Sequence, residues 1–163
     1  MKEFIDKITS YNLFNHLLPG VLFAAFLNAT TPLKLIQSDI LVGFFVYYFL
    51  GVIVSRFGSL IIEPILKKSG FVVFSKYDDF VNASKQDVKI EVLSETNNMY
   101  RNICALVILS WIARYFFILV DNFLVLKCFY VEILSVIVLL VFLFAYKKQV
   151  SYIYRRVERC NRG

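Results

Sequence analysis

Side chains that commonly carry catalysis or bind metals are scarce in this sequence. Its 163 residues include a single histidine, His16, and three widely spaced cysteines, Cys104, Cys128 and Cys160. A zinc site needs several such ligands at close spacing, and a disulfide framework needs an even number of cysteines. The six glycines form no phosphate-binding loop, and there is no nucleophile elbow. The sequence therefore predicts a protein that is not an enzyme and that holds no metal or other cofactor.

Charged residues are also few, at 18%, whereas hydrophobic residues make up 59% of the chain. Soluble domains are about 45–50% apolar, so the excess here needs lipid to cover it. The apolar residues fall into four long runs, and we predict membrane spans at about 13–29, 40–62, 103–120 and 126–146. No polar stretch is long enough to fold alone. Residues 1–163 are thus predicted to be one transmembrane domain of the all-α class.

Three polar segments complete the predicted architecture. Residues 2–11 place their apolar side chains on one face, which indicates an interfacial amphipathic helix, with an ordinary solvated turn as the alternative. Residues 66–102 are predicted to be a cytoplasmic helical extension that continues into the third span. Within it, the FVVF run at 71–74 is either strand-like or interfacial. Residues 147–163 form a basic tail.

Lysine and arginine are distributed unevenly between the two sides of the predicted spans. Of the 18 basic residues, 14 lie in the N-terminal segment, in residues 66–101 or in the tail. The two opposite loops hold only Lys34 and Lys127. Because cytoplasmic loops carry an excess of lysine and arginine, both termini are predicted to be cytoplasmic.

Four ionisable residues fall within or at the edge of the spans: Arg56, Glu63, Arg114 and Glu132. Charges in a membrane are costly, and they usually face the protein interior or water. Arg114 and Glu132 lie at matched depth on either side of a tight turn and are expected to pair. Arg56 and Glu63 lie two turns apart near the inner side. The four residues are either structural ion pairs or the lining of a water-filled pathway.

Small residues also recur along the second span. Gly51, Ser55 and Ser59 are spaced by four and therefore share one helix face. In lipid, such a face lets a neighbouring helix approach closely. We predict helix packing at these three positions.

The densest basic cluster lies in the tail, where tyrosines are interleaved with arginines. Its members are Lys147, Lys148, Arg155, Arg156, Arg159 and Arg162, and Arg101 and Lys89 are expected as neighbours from the long helix. Arginines beside aromatic rings suit the phosphates and bases of a nucleic-acid ligand. They equally suit the headgroups of anionic lipids. From the sequence alone, the lipid interpretation is favoured and the nucleic-acid interpretation is the alternative.

Two segments resemble small multi-span proteins encoded in bacterial anti-phage operons. They are SYNLFNHLLPGVLF at 10–23 and YDDFVNASKQDVKIEVLSETNNMYRN at 77–102. The chain looks most like the membrane effector of the Hailong defence system, with the Kiwa membrane subunit and four-span effectors of cyclic-nucleotide defence as alternatives. The resemblance implies an oligomeric channel of the inner membrane. We expect a homo-oligomer of four subunits. The resemblance also implies that the channel stays closed until a partner nucleotidyltransferase supplies a nucleotide or DNA ligand.

A second function remains in competition with the channel. The chain could instead be a non-conducting membrane anchor or sensor that recruits a cytosolic protein through residues 66–102 and the tail. A small transporter subunit is less attractive, because the sequence shows no internal repeat.

The charge asymmetry makes the topology testable. Reporter fusions after Gln37 or Asn122 should report the outer side, whereas fusions after Ser84 or Gly163 should report the cytoplasm. The measurement is the activity of a compartment-specific reporter in intact cells. Termini on opposite faces would mean an odd number of spans and would contradict the four-span topology.

Overall fold

The computed structural model describes residues 12–162, without the side chain of Arg162, so the predicted interfacial helix at 2–11 lies outside the described residues. Residues 12–162 form helices and no strand. The five helices are α1 (Leu13–Thr30), α2 (Ile40–Lys68), α3 (Tyr77–Gln86), α4 (Lys89–Asn122) and α5 (Leu124–Arg162). All except α3 are long and apolar enough to cross a bilayer, which confirms the predicted fold class.

Three of the four long helices extend well past the apolar runs. Helix α4 has 34 residues and α5 has 39, or about 51 and 58 Å at the α-helical rise. Since a bilayer core is only about 30 Å thick, both helices project from it on one side. Together with α3 and the end of α2, these projections form what we call the polar end, residues 63–101 and 147–161. The basic tail is therefore the continuation of α5.

The predicted strand-like run is an irregular loop. Helix α2 ends at Lys68, and the chain turns through Gly70 at φ +75°, a conformation that glycine adopts without strain. The amide of Phe71 then donates to the carbonyl oxygen of Leu66 at 3.1 Å. Residues 71–76 have no regular structure and lead into α3.

The hydrophobic core lies among α1, α2 and α4. Phe23 and Leu27 of α1 pack with Val54 and Phe57 of α2 and with Ala105 of α4. Helix α5 stays outside this core, and only 6% of its apolar stretch is buried. Its own contacts include stacking of Phe142 on Phe49 and an edge-to-face contact of Tyr130 with Phe117. Most of α5 therefore has no covering surface within the described chain.

Helices α1 and α2 meet backbone to backbone. A Cβ atom added at Gly51 would lie 1.7 Å from the carbonyl oxygen of His16, and one added at Gly20 would lie 1.7 Å from that of Tyr47. Only glycine, which has no Cβ atom, can be accommodated at such a distance. Each glycine therefore allows the backbone of the other helix to approach closely. Ser55 continues the buried face of α2. Two of the three predicted small residues therefore lie buried on the packed side of this helix.

A buried pair of amides fixes α1 against α4. The Nδ2 atom of Asn102 donates to the backbone carbonyl of Asn15 at 2.9 Å and to its Oδ1 atom at 3.2 Å. Both side chains are buried, at 0% and 2% exposed. Hydrogen bonds between membrane helices contribute about 1 kcal/mol each, and this pair also specifies the register of the two helices.

The glycine contact can be tested by adding one methyl group. Gly51→Ala should destabilise the fold by about 1–3 kcal/mol, because the methyl group forces the two backbones apart. The measurement is thermal unfolding in one fixed detergent. Gly43→Ala is the control, since a methyl group there would meet a ring carbon of Tyr47 at 3.2 Å instead of backbone. Equal losses for both variants would contradict the close approach.

Candidate functional site

One buried carboxylate, that of Glu63, gathers three cations at the polar end. Its Oε2 atom lies 2.7 Å from Nη1 of Arg101, and its Oε1 atom lies 3.1 Å from Nζ of Lys67 and 3.5 Å from Nζ of Lys148. Lys67 is one turn further along α2, Arg101 belongs to α4 and Lys148 belongs to α5. Glu63 therefore ties three long helices together, and the cluster of four side chains carries a net charge of +2.

Lys148 makes a second set of contacts that depends on an irregular turn of α2. Residues Gly58–Ile62 form a π turn, in which the amide of Glu63 bonds to the carbonyl oxygen of Gly58. With the same five-residue spacing, the carbonyl oxygen of Ser59 would accept a hydrogen bond from the amide of residue 64. That residue is Pro64, which has no amide hydrogen. Nζ of Lys148 donates instead to the carbonyl oxygen and to Oγ of Ser59, each at 2.7 Å.

Beside this cluster lies a cleft of about 750 Å³. We call it the basic cleft. Its walls come from the end of α2, the following loop, α3, α4 and α5. Its charged residues are Glu63, Lys67, Arg101 and Arg155; its rings are Phe74, Tyr77, Phe80 and Tyr152; and Val72, Val73, Ser75, Ser94, Asn97 and Asn98 complete the lining.

Aromatic rings position two of the cations in the basic cleft. The guanidinium of Arg155 lies 5.1 Å from the ring centre of Tyr152 and 5.7 Å from that of Tyr77. The ammonium of Lys67 lies 4.0 Å from the ring centre of Phe74. A cation over a ring face is attracted by the ring's quadrupole. The cleft therefore offers positive charge and flat apolar surfaces side by side.

Arg101 retains a donor that nothing in the described chain satisfies. Its Nε atom is buried and has no hydrogen-bond partner among residues 12–162, although Nη1 bonds to Glu63. A buried donor without an acceptor is costly. With one carboxylate against three basic side chains in its lining, the cleft is suited to an anionic ligand that supplies acceptor oxygens.

Helix α3 is held against α5 by polar contacts. Nε of Arg159 lies 3.7 Å from Oδ1 of Asp78, and Nη2 of Arg159 donates to Oδ1 of Asn82. The Asp78 side chain is 72% exposed, and such surface pairs contribute at most about 1 kcal/mol. This wall of the basic cleft is accordingly held more weakly than the cluster around Glu63.

The basic residues of the tail form one cluster in the sequence but have different surroundings in the structure. Arg155 lines the cleft, Lys148 contacts Glu63 and Ser59, and Arg159 contacts α3. Lys147 and Arg156 are exposed and do not line the cleft, and the side chain of Arg162 lies outside the described part. Of the two expected neighbours, Arg101 lines the cleft and Lys89 does not.

The intramembrane charges are not joined as expected. Among the described residues neither Arg114 nor Glu132 belongs to an ion pair, and both are exposed. The ring contact of Phe117 with Tyr130 occupies the face shared by α4 and α5. Glu132 follows Tyr130 by two residues and so lies about 200° around the helix, pointing away from α4.

The expected proximity of Arg56 and Glu63 also does not lead to an ion pair between them. Glu63 pairs with Lys67, Arg101 and Lys148 and not with Arg56, which is half-buried on the same helix. The amides and rings of the cleft were not predicted as site residues. A polar stripe was nevertheless visible, because Ser94, Asn98 and Arg101 recur at helical spacing immediately before the third apolar run.

No protein-family model, no curated protein and no solved structure matches this chain. Its function must therefore be inferred from its own residues and their geometry.

The Glu63 cluster predicts a large effect from a small change. Glu63→Gln keeps the shape but removes the anion that Arg101 and Lys148 face, so it should cost on the order of 3 kcal/mol. Asp78→Asn breaks an exposed pair and should cost less than about 1 kcal/mol. Thermal unfolding of the two variants in one detergent measures both costs. Similar small losses would show that Glu63 does not join the helices.

Proposed function

We propose that this chain is a subunit of a homo-oligomeric channel in the bacterial inner membrane, opened by a cytosolic nucleotide or nucleic-acid ligand. The observation that supports this most is the basic cleft, where cations, stacking rings and side-chain amides line one space at the polar end. The resemblance to anti-phage effectors supplies the biological setting. In that setting a nucleotidyltransferase would make the ligand.

The lining of the basic cleft fits both parts of a nucleotide. Arg101 and Lys67 offer charged donors for phosphate oxygens. Tyr77 and Tyr152 provide ring faces on which a base can stack, a contact worth about 1–3 kcal/mol per base. The Asn97 and Asn98 amides can bond to base edges.

Opening would follow from competition for the cations around Glu63. A ligand phosphate that binds Arg101 and Lys67 draws them from the Glu63 carboxylate. Lys148 is part of the same cluster and joins α5 to the π turn of α2 through Ser59. Drawing Arg101 away therefore breaks the ion pair that joins α4 to α2 at the polar end and leaves the Glu63 carboxylate to Lys148, so α4 is free to shift against α2 and α5.

The anchor or sensor remains the second candidate, because the polar end exposes apolar side chains. Phe71 is 80% exposed and Val73 is 91% exposed in the loop after α2. A cytosolic protein could bind this loop. Conductance separates the two candidates, since an anchor needs no ion pathway.

The ligand site is tested by two neighbouring arginines, only one of which lines the cleft. Arg155→Gln should weaken binding of a short DNA oligonucleotide or ATP by about 10- to 100-fold, as expected for one charged hydrogen bond. Arg156→Gln, the matched control, should stay within about twofold of the wild type. Affinity is measured in nanodiscs without anionic lipid, so that lipid headgroups cannot occupy the site.

Equal losses for both arginines would mean that the tail attracts nucleic acid by charge alone and would contradict a site in the cleft. Absence of binding in the wild type would reject the ligand-gated channel with these probes. Planar-bilayer recordings with and without the bound probe then address conduction. Binding without current would favour the sensor.

A further inference from the structure

Two opposite charges lie uncovered at the same depth in neighbouring membrane helices. Arg114 lies eight residues before the end of α4, and Glu132 lies eight residues after the start of α5. Each is thus about 12 Å from the turn that joins the two helices. Both are exposed, and within residues 12–162 neither has an ion-pair partner.

Lipid cannot satisfy these charges at this depth. An isolated arginine or acidic side chain within a span is unfavourable, and such residues in membrane proteins normally pair or face water. The pair cannot form within one chain, because Tyr130 fills the contact with α4 and directs Glu132 to the far side of α5. An opposite charge from outside the chain, at the same depth, would satisfy each of them.

We infer that a second copy of this chain binds at the α4–α5 hairpin, where Arg114 of one copy pairs with Glu132 of the other. This inference rests on the proposed function only in that both require several copies. A second copy inserted in the same orientation presents both charges at the required depth. Two-fold packing would form two reciprocal pairs at each interface, and a ring would form one.

Exposed apolar side chains flank the charge on α4 and suit a helix of the second copy. Trp111 and Ile118 lie about one turn before and one turn after Arg114, on its side of the helix. Trp111 is 53% exposed and Ile118 is 45% exposed. The facing partner would be α5, whose apolar stretch is only 6% buried. These apolar side chains provide packing, and the charges determine the register of the two helices.

Charge reversal in separate copies tests whether the pair forms between chains. Arg114→Glu alone and Glu132→Arg alone should each reduce co-purification of two differently tagged copies by about tenfold or more. Coexpression of the two variants should restore it, because each supplies the charge that the other lacks. Arg114→Lys, which conserves the charge, is the control and should assemble.

Three results would overturn the inference. Restoration only when both reversals are in the same chain would mean an intrachain pair. Losses without restoration by coexpression would mean that the charges serve folding or bind another protein. Full assembly of the single variants would mean that the side chains reach the membrane surface and need no partner.

Crosslinking tests the register independently of assembly strength. Cys128 lies one turn from Glu132, and Ile118 lies one turn from Arg114, so the pairing places these positions at equal depth on facing helices. With Cys104 and Cys160 replaced by serine, Ile118→Cys should form covalent dimers through the native Cys128 on oxidation in membranes. Monomer alone would overturn the proposed register.

A control position has nearly the same exposure as Ile118. Leu119 is 49% exposed and Ile118 is 45% exposed, but Leu119 lies about 100° further around α4. Leu119→Cys should give much less dimer, and equal dimer would overturn the interface. Neither experiment uses a ligand or a current. Failure here would leave binding in the basic cleft intact, and loss of ligand binding would leave this interface intact.

Discussion

The carboxylate of Glu63 is the interaction on which the polar end depends. It brings together cations from α2, α4 and α5, and it does so at the place where all three helices leave the apolar layer. Helix α5 has little burial, so the ionic contact with Glu63 is one of the few that hold it, together with the bonds of Lys148 to Ser59 and two ring contacts. The cluster stabilises the contact between the helices only while its anion and cations are all present, because removal of one partner leaves a buried charge without compensation.

Two kinds of contact thus hold the helices together. Within the apolar layer, helices α1, α2 and α4 are joined by close glycine contacts, a buried amide pair and apolar packing. At the polar end, α2 and α4 are also joined by the ion pair of Glu63 with Arg101. Helix α5 is joined to them mainly by rings in the membrane and by ionic contacts outside it. An anionic ligand at the polar end would compete with the ionic contacts and leave the apolar packing of α1, α2 and α4 unchanged.

Much of the architecture could be predicted from local pattern, because the bilayer requires long apolar helices. The spans, the continuous fourth helix and the buried Gly51 and Ser55 all follow from composition and spacing. The partners of Glu63 could not be predicted in this way. Arg101 is 38 residues from Glu63 along the chain. Lys148 is equally remote in sequence from this part of α2, since it is 89 residues from Ser59, to which it also bonds. Helical periodicity identifies neighbours on one helix, such as Arg56, and carries no information about which faces of distant helices meet.

The unbroken length of α5 links the two regions of interest mechanically. From Leu124 to Arg162 the helix contains neither glycine nor proline, so its sequence has no residue that commonly kinks a helix. Glu132 lies sixteen residues from Lys148, or about 24 Å at the helical rise. If the helix tilted by about 10° about Lys148, Glu132 would be displaced sideways by about 4 Å. That displacement is comparable to the reach of an ion pair, so the helix can act as a lever between the ionic contacts at one end and the intramembrane charge at the other.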